Sequence, residues 1–167
     1  MTRVNRGITN RRPHVEALRR NLKKALADRD LEARRLAPDE LIEEARSLEA
    51  LGEEVPADVS AEVIGALLRA GRVREARAAA DRLLTDLDPR MASRAGWICR
   101  ELEAHDLAFD FFARAFPRER ANPKLLTAFE LVAKRSGRIA ELVRLYESTL
   151  PRRRTLYGRV KRLRSAS

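Results

Sequence analysis

The sequence predicts an all-α protein in which about eight helices form the antiparallel hairpins of an α-solenoid, followed by a basic C-terminal segment. Ala, Leu, Arg and Glu dominate its 167 residues and strong β-formers are sparse, which favours helix throughout. A two-helix segment also recurs: aligning Ala76, Ala108 and Leu142 gives steps of 32 and 34 residues. Steps in this range are typical of helical-hairpin repeats, which build binding surfaces. The pattern therefore indicates a binding protein without identifying its partner.

In the first half of the chain, two prolines mark predicted helix starts and a glycine marks a predicted helix end. Pro13 begins a first helix that runs to about Arg34, with apolar residues at helical spacing. Pro38 begins a second helix, which Gly52 ends. Two further helices are predicted at 57–70 and 72–87.

In the second half, a capping residue followed by proline marks two helix starts. Asp88 is expected to cap the fifth helix and Pro89 to begin it, and Asn122 with Pro123 does the same for the seventh. Pro117 is predicted to end the sixth helix.

An eighth helix is expected to finish before Pro151, and the remaining residues to form a short, very basic helix interrupted by Gly158. The predicted organisation is a basic disordered arm at 1–12, the helical domain at 13–150, and a basic tail or short helix at 151–167.

The formal net charge of +10 comes from the two ends of the chain. Residues 1–36 carry 11 basic and 4 acidic side chains, residues 37–150 carry 17 and 21, and residues 151–167 carry 7 and none. Basic ends around a mildly acidic body are compatible with anionic partners at the termini.

Several classes of protein are disfavoured by composition. The single Cys99 excludes an internal disulfide and fits a reducing compartment. No run approaches the roughly 18 apolar residues of a membrane span, and no apolar signal-peptide core follows the Arg-rich start. We therefore expect a cytoplasmic protein, with an organellar transit peptide as the alternative for the first residues. The Arg and Ala bias fits a bacterial, GC-rich coding sequence.

The recurring segment resembles the tetratricopeptide repeat (TPR) family over about residues 57–150, with a degenerate copy before it. In that family, the second helix of each pair begins with Gly-Asp-Tyr-x-x-Ala and continues with an aromatic and a small residue. The three copies here contain Gly71, Val73, Ala76 and Ala80, then His105, Ala108, Phe112 and Ala115, then Gly137, Ile139, Leu142 and Tyr146. The early aromatic of the family's first helix is absent and the closing proline is displaced, so a generic α-solenoid or a helical bundle stays open. The resemblance implies a right-handed α-solenoid of TPR-like hairpins.

The resemblance also implies that the first helix of each pair lines a concave groove for a peptide or a partner helix. The matching positions are Arg69, Arg90, Ser93, Trp97, Arg100, Lys124, Thr127, Leu131, Lys134 and Arg135. Because Arg and Lys suit carboxylates and phosphates, an acidic or phosphorylated protein segment is the expected partner of this scaffold or adaptor. Trp97 is either an exposed contact or packed between hairpins.

The alternative function is binding of nucleic acid or an anionic membrane surface through the basic termini. The residues of this anionic-partner arm are Arg152, Arg153, Arg154, Arg159, Lys161, Arg162 and Arg164. Tyr157 is its one stacking group, and no helix-turn-helix, zinc-finger or RNA-recognition signature accompanies it.

Residues suited to catalysis or metal binding are sparse. Glu101 and His105 are four apart, and so are Asp106 and Asp110, but a metal site needs three or four converging ligands. A Gly-rich phosphate loop is missing, and Cys99 occupies a predicted core position. We expect no enzymatic activity, metal or cofactor in this chain alone. A further alternative is an accessory segment or subunit of an enzyme on another chain.

Overall fold

The computed structural model describes residues 13–18, 20–21, 33–86, 89–149 and 156–165, without the side chains of 33–38, 86 and 90. Helices connected by short turns account for these residues, and no strand occurs among them. The predicted all-α class is confirmed. The chain divides into two compact units, residues 1–79 and 80–167.

Nine helices cover the described residues. They are α1 (13–18 and 20–21), α2 (Ala33–Ala50), α3 (Ala57–Arg69), α4 (Val73–Asp86), α5 (Pro89–Glu101), α6 (His105–Glu119), α7 (Pro123–Arg135), α8 (Ile139–Glu147) and α9 (Tyr157–Ser165).

In the first unit, α2 packs against α3. The apolar stripe Leu41, Ala45 and Leu48 of α2 is buried, and so are Val59 and Ile64 of α3. Gly52 ends α2 in the left-handed conformation, with φ of +73°. This agrees with the predicted stop and lets the chain reverse within a few residues.

In the second unit, each helix from α5 to α8 packs against its successor, and α8 packs against α9. Phe129 of α7 lies at the centre of the core, with its ring centroid 4.9 Å from that of Phe109 and 6.0 Å from that of Phe112. Phe116 stacks on Tyr146 of α8 at 5.2 Å. These rings connect three helices, so α7 has one face held firmly against α6 and α8.

The repeat spacing is visible in the backbone. Residues 71, 103 and 137, separated by the same 32 and 34 steps, all adopt the left-handed conformation, with φ of +72°, +57° and +71°. After each one, the next N–H bonds back to a carbonyl five residues earlier, at 2.8, 2.9 and 2.8 Å. This is the Schellman ending of a helix. The aligned Ala76, Ala108 and Leu142 follow five residues after each left-handed residue and are fully buried.

Four predicted boundaries differ from the structure. Pro38 lies inside α2, which begins at Ala33, and Arg34 belongs to α2 rather than to the first helix. Pro117 lies inside α6, which continues to Glu119. The proline lacks the N–H of an ordinary helical residue, and the Arg120 Nε donates to its carbonyl at 2.9 Å beyond the helix end.

Gly158 does not interrupt the last helix, since it is the second residue of α9. Glycine is tolerated at such a helix start because it lies outside the interior, where its entropy cost is largest. The predicted arm at 1–12 and the Asp88 cap lie outside the described residues.

Candidate interaction surface

The outward face of α7 forms a continuous exposed stripe. Lys124, Thr127, Leu131 and Lys134 occupy positions i, i+3, i+7 and i+10 of the helix, which share one face. All four are exposed, and Arg135 beside them is exposed as well. We call these five residues the α7 surface. Its ends, Lys124 and Lys134, are about 15 Å apart along the helix axis.

The orientation of this surface follows from the cap and the core of α7. The Asn122 side chain accepts hydrogen bonds from the backbone N–H groups of Lys124 and Leu125, at 3.1 and 3.4 Å. Pro123 then occupies the first helical position, as predicted. Phe129 and Val132 anchor the opposite face at zero exposure. The helix is therefore fixed in rotation, and the α7 surface faces solvent.

All charges on the α7 surface are positive. Lys124, Lys134 and Arg135 make no ion pair within the described part of the chain. Leu131 lies among them and is 44 % exposed, one of the few large apolar side chains so exposed. A solvated apolar residue framed by uncompensated cations suits a partner that is anionic and partly apolar.

Glu130, the acidic residue of α7, is engaged in an ion pair with α9 and does not pair with the cations of the α7 surface. Glu130 accepts from Arg159 Nη1 of α9 at 2.6 Å, and the two side chains are only 20 and 18 % exposed. Burial raises the pKa of the neighbouring Tyr146 hydroxyl, Glu130 raises it further, and Arg159 opposes them. Glu130 therefore holds α9 in place instead of neutralising the α7 surface.

The predicted positions on α5 are less accessible than those on α7. Ser93 is buried at 9 % exposure. Trp97 is half-buried and contacts Phe112 of α6 edge to face, with ring centroids 5.4 Å apart. The Arg100 guanidinium lies 5.0 Å above the Trp97 ring. Trp97 thus packs within its own helix pair while keeping part of its ring at the surface, and Arg100 covers it through a cation–π contact.

Two other predicted groove residues cannot be assigned to this surface. Arg69 is exposed at the end of α3, in the first unit. The side chain of Arg90 lies outside the described part of the structure. The structure thus brings together the five α7 residues, and separately Trp97 with Arg100.

The C-terminal residues predicted as an anionic-partner arm belong partly to the fold. Arg159 pairs with Glu130, and Arg164 pairs with Glu147 of α8. Lys161 and Arg162 are exposed. Residues Arg152, Arg153 and Arg154 lie outside the described part of the chain. Half of the described cationic residues in this arm therefore already have an internal carboxylate partner.

The residues considered for metal binding or catalysis have other surroundings in the described part of the chain. Asp110 binds Arg138 Nη1 at 2.6 Å instead of joining Asp106. Among the described residues, no group of three or more His, Cys, Asp or Glu side chains could hold a metal ion. Burial raises the pKa of the Cys99 thiol to about 12, which leaves it as an unreactive core residue. No helix in the described ranges is long and apolar enough to cross a membrane.

Comparison with known proteins gives no match to a family model, a curated protein or a solved structure. Function is therefore inferred from the geometry and charge of the chain's own residues.

Sequence reasoning missed the long-range ion pairs that shape the surface. Arg138 pairs with Asp110, and Arg159 with Glu130, across 28 and 29 residues. Each pair joins a helix to the start of the helix after next in the chain at nearly the same sequence separation, and that separation is a usable signal.

Proposed function

We propose that the protein is an interaction scaffold whose α7 surface binds an acidic or phosphorylated protein segment. The decisive support is the uniform positive charge of that surface around the exposed Leu131. Carboxylates or phosphates of the partner would pair with Lys124, Lys134 and Arg135, and an apolar side chain would cover Leu131. Phosphate binding would favour Arg135, because its guanidinium offers two parallel donors.

The same proposal includes a TPR-like architecture for the second unit, with α5–α6 and α7–α8 as consecutive antiparallel hairpins of a right-handed α-solenoid. The recurrence of the left-handed residue and its hydrogen bond at 103 and 137 supports this architecture. In such an arrangement α5 and α7 are both first helices, so Trp97 and Arg100 would extend the binding surface on the α5 side.

The main rival is anionic binding through the C-terminal arm. The internal pairing of Arg159 and Arg164 counts against it, because binding through them would first break contacts that hold α9. Lys161 and Arg162 are the described arm residues that remain available for an external anion.

Charge reversal on the α7 surface tests the proposal. The probe is a fluorescein-labelled 15-residue Glu/Leu peptide, with a phosphoserine version beside it, measured by fluorescence anisotropy at low salt. Lys124→Glu with Lys134→Glu should weaken binding by about thirtyfold, since each lost exposed pair contributes at most about 1 kcal/mol. Leu131→Ser should weaken it by several-fold through lost apolar contact.

Two further variants make this test specific. Arg74→Glu with Arg118→Glu makes the same change in net charge at exposed positions outside the α7 surface and should bind within about threefold of the wild type. Lys161→Glu with Arg162→Glu tests the C-terminal arm. If the arm variant loses peptide binding and the α7 variant retains it, the α7 assignment is wrong.

A further inference from the structure

The segment from α2 to α3 is rich in acidic residues that the proposed function does not use. Residues 37–71 contain nine acidic side chains and only two basic ones. On α2, the acidic positions Glu40, Glu43 and Glu44 fall within little more than one turn; Glu40 and Glu43 are exposed, and Glu44 is half-buried at the edge of the Leu41, Ala45 and Leu48 stripe.

Among the described side chains, one arginine of α2 neutralises part of this surface. Arg46 contacts Glu43 at 2.7 Å and also Glu75 of α4 at 2.7 Å. Arg72 is held by the same Glu75 at 2.6 Å. Glu40, which is exposed, and Glu44, which is half-buried, make no ion pair within the described part of the chain.

The acidic α2 face and the α7 surface are complementary in charge and in spacing. Leu131, Lys134 and Arg135 occupy little more than one turn of α7, as the three glutamates do on α2. A helical turn rises about 5.4 Å, so the cations and carboxylates of the two clusters can face one another along crossing helices. The methylene stems of the glutamates can cover Leu131 while their carboxylates reach the cations.

We propose that the partner of the α7 surface includes a second copy of this chain, which docks through its acidic α2 face. This inference rests on the proposed function of the α7 surface and identifies one acidic segment that it binds. The contact uses different surfaces on the two copies. Each added copy therefore leaves one acidic and one basic face open, and association proceeds head to tail.

Such a contact has two physical signatures. Its extent should rise with protein concentration, because each step is bimolecular. It should also weaken with salt, since the Debye length falls from about 10 Å at 0.1 M to about 3 Å at 1 M. An apolar self-association would respond in the opposite direction to kosmotropic salts.

The test is a charge-swap experiment on the full chain by sedimentation equilibrium, in nucleic-acid-free samples at low salt. A basic-face variant carries Lys134→Glu and Arg135→Glu, and an acidic-face variant carries Glu40→Lys and Glu44→Lys. Each variant alone should associate at least about tenfold more weakly than the wild type, because like charges now face one another. An equal mixture of the two should associate within about threefold of the wild type, since the reversed faces are again complementary.

Matched controls and milder substitutions keep the result interpretable. Arg74→Glu with Arg118→Glu should leave association unchanged, although it lowers the net charge by as much as the basic-face variant does. If the acidic-face variant loses its helical circular dichroism, Glu40→Gln with Glu44→Gln replaces it, and if the basic-face variant does, Lys134→Gln with Arg135→Gln replaces it. Either replacement should weaken association in the same direction.

Two results overturn the inference: a wild type that stays monomeric at every concentration, or folded swap variants whose mixture associates no better than each alone. The peptide assay separates this failure from that of the proposed function. A monomeric protein that still binds the acidic peptide through Lys124 and Lys134 refutes self-docking only. Peptide binding that is indifferent to those lysines refutes the α7 proposal itself.

Discussion

At Gly96, the absence of a side chain determines how closely α5 lies against α6. A Cβ atom at this position would lie 2.6 Å from two carbons of the Phe112 ring, well inside van der Waals contact. Phe112 is itself fully buried and contacts both Trp97 and Phe129. The ring therefore has no room to move away, and the close approach depends on glycine.

We predict that Gly96→Ala destabilises the protein by about 1 to 3 kcal/mol through overpacking, despite the better helix propensity of alanine. Urea denaturation followed by circular dichroism measures the change. Gly158→Ala is the matched control, because a methyl group added there on α9 would have no neighbouring atom within 4 Å. The control should be neutral or slightly stabilising, and equal stability of the two variants would contradict the packing explanation.

At the scale of helices, the same short motif begins α4 and α8. The motif reads Gly71-Arg72-x-x-Glu75 at α4 and Gly137-Arg138-x-x-Glu141 at α8. In each copy the arginine donates two hydrogen bonds to the glutamate three residues later. The surroundings differ. Arg138 also binds the largely buried Asp110 and lies 3.8 Å above the Phe109 ring, whereas Glu75 is half-exposed.

We predict that Arg138→Met costs about 1 to 2 kcal/mol of folding free energy, because it leaves the Asp110 carboxylate without this donor and removes the cation–π contact. Arg72→Met should cost clearly less, since its partner is solvated. If the two variants lose equal unfolding free energy in thermal and urea denaturation, the shared motif, and not the burial of Asp110, determines the stabilisation.

The pH dependence of the unfolding free energy tests another contact of Arg138, its ion pair with Glu141. Arg138 lowers the pKa of Glu141 below its ordinary value. A carboxylate with a lowered pKa in the folded state stabilises the fold above its unfolded-state pKa, and this contribution is lost as the pH falls through the folded-state pKa. Arg138→Met should therefore lose less stability between neutral and acidic pH than the wild type does. If the unfolding free energy of Arg138→Met falls with decreasing pH as steeply as that of the wild type, this electrostatic contribution is excluded.

At the scale of the whole molecule, the basic C-terminal residues contribute to the fold of the second unit. Leu156 is fully buried and Val160 is 6 % exposed, although both lie in the segment predicted as a tail or short helix. Arg159 and Arg164 add ion pairs to α7 and α8. Helix α9 is thus the last packed layer of the unit.

We predict that Leu156→Ala destabilises the protein by about 2 to 4 kcal/mol, the range for removing a buried leucine side chain. Arg162→Ala, an exposed substitution on the same helix, should stay within about 0.5 kcal/mol of the wild type. Thermal and urea denaturation monitor both. If Leu156→Ala unfolds like the wild type, α9 is an appended arm, as the charge pattern of the sequence predicts.

The sequence by itself determined the helical class, most helix starts and the repeat spacing. These depend on short-range chemistry: the Asn122 cap, the prolines at helix starts, the left-handed glycines and the apolar period all act within a few residues. The same periodicity placed Lys124, Thr127, Leu131 and Lys134 on one face of α7.

Only the tertiary structure decided which charges are neutralised and which remain available. The sequence offers each arginine many acidic residues as possible partners, and helix packing selects Asp110 for Arg138 and Glu130 for Arg159. It also decides between the predicted tail and short helix at the C-terminus, because Leu156 and Val160 are buried against the unit while Lys161 and Arg162 stay exposed. The positive α7 surface is what remains after these pairings, since an ion pair depends on the position of both partners in space.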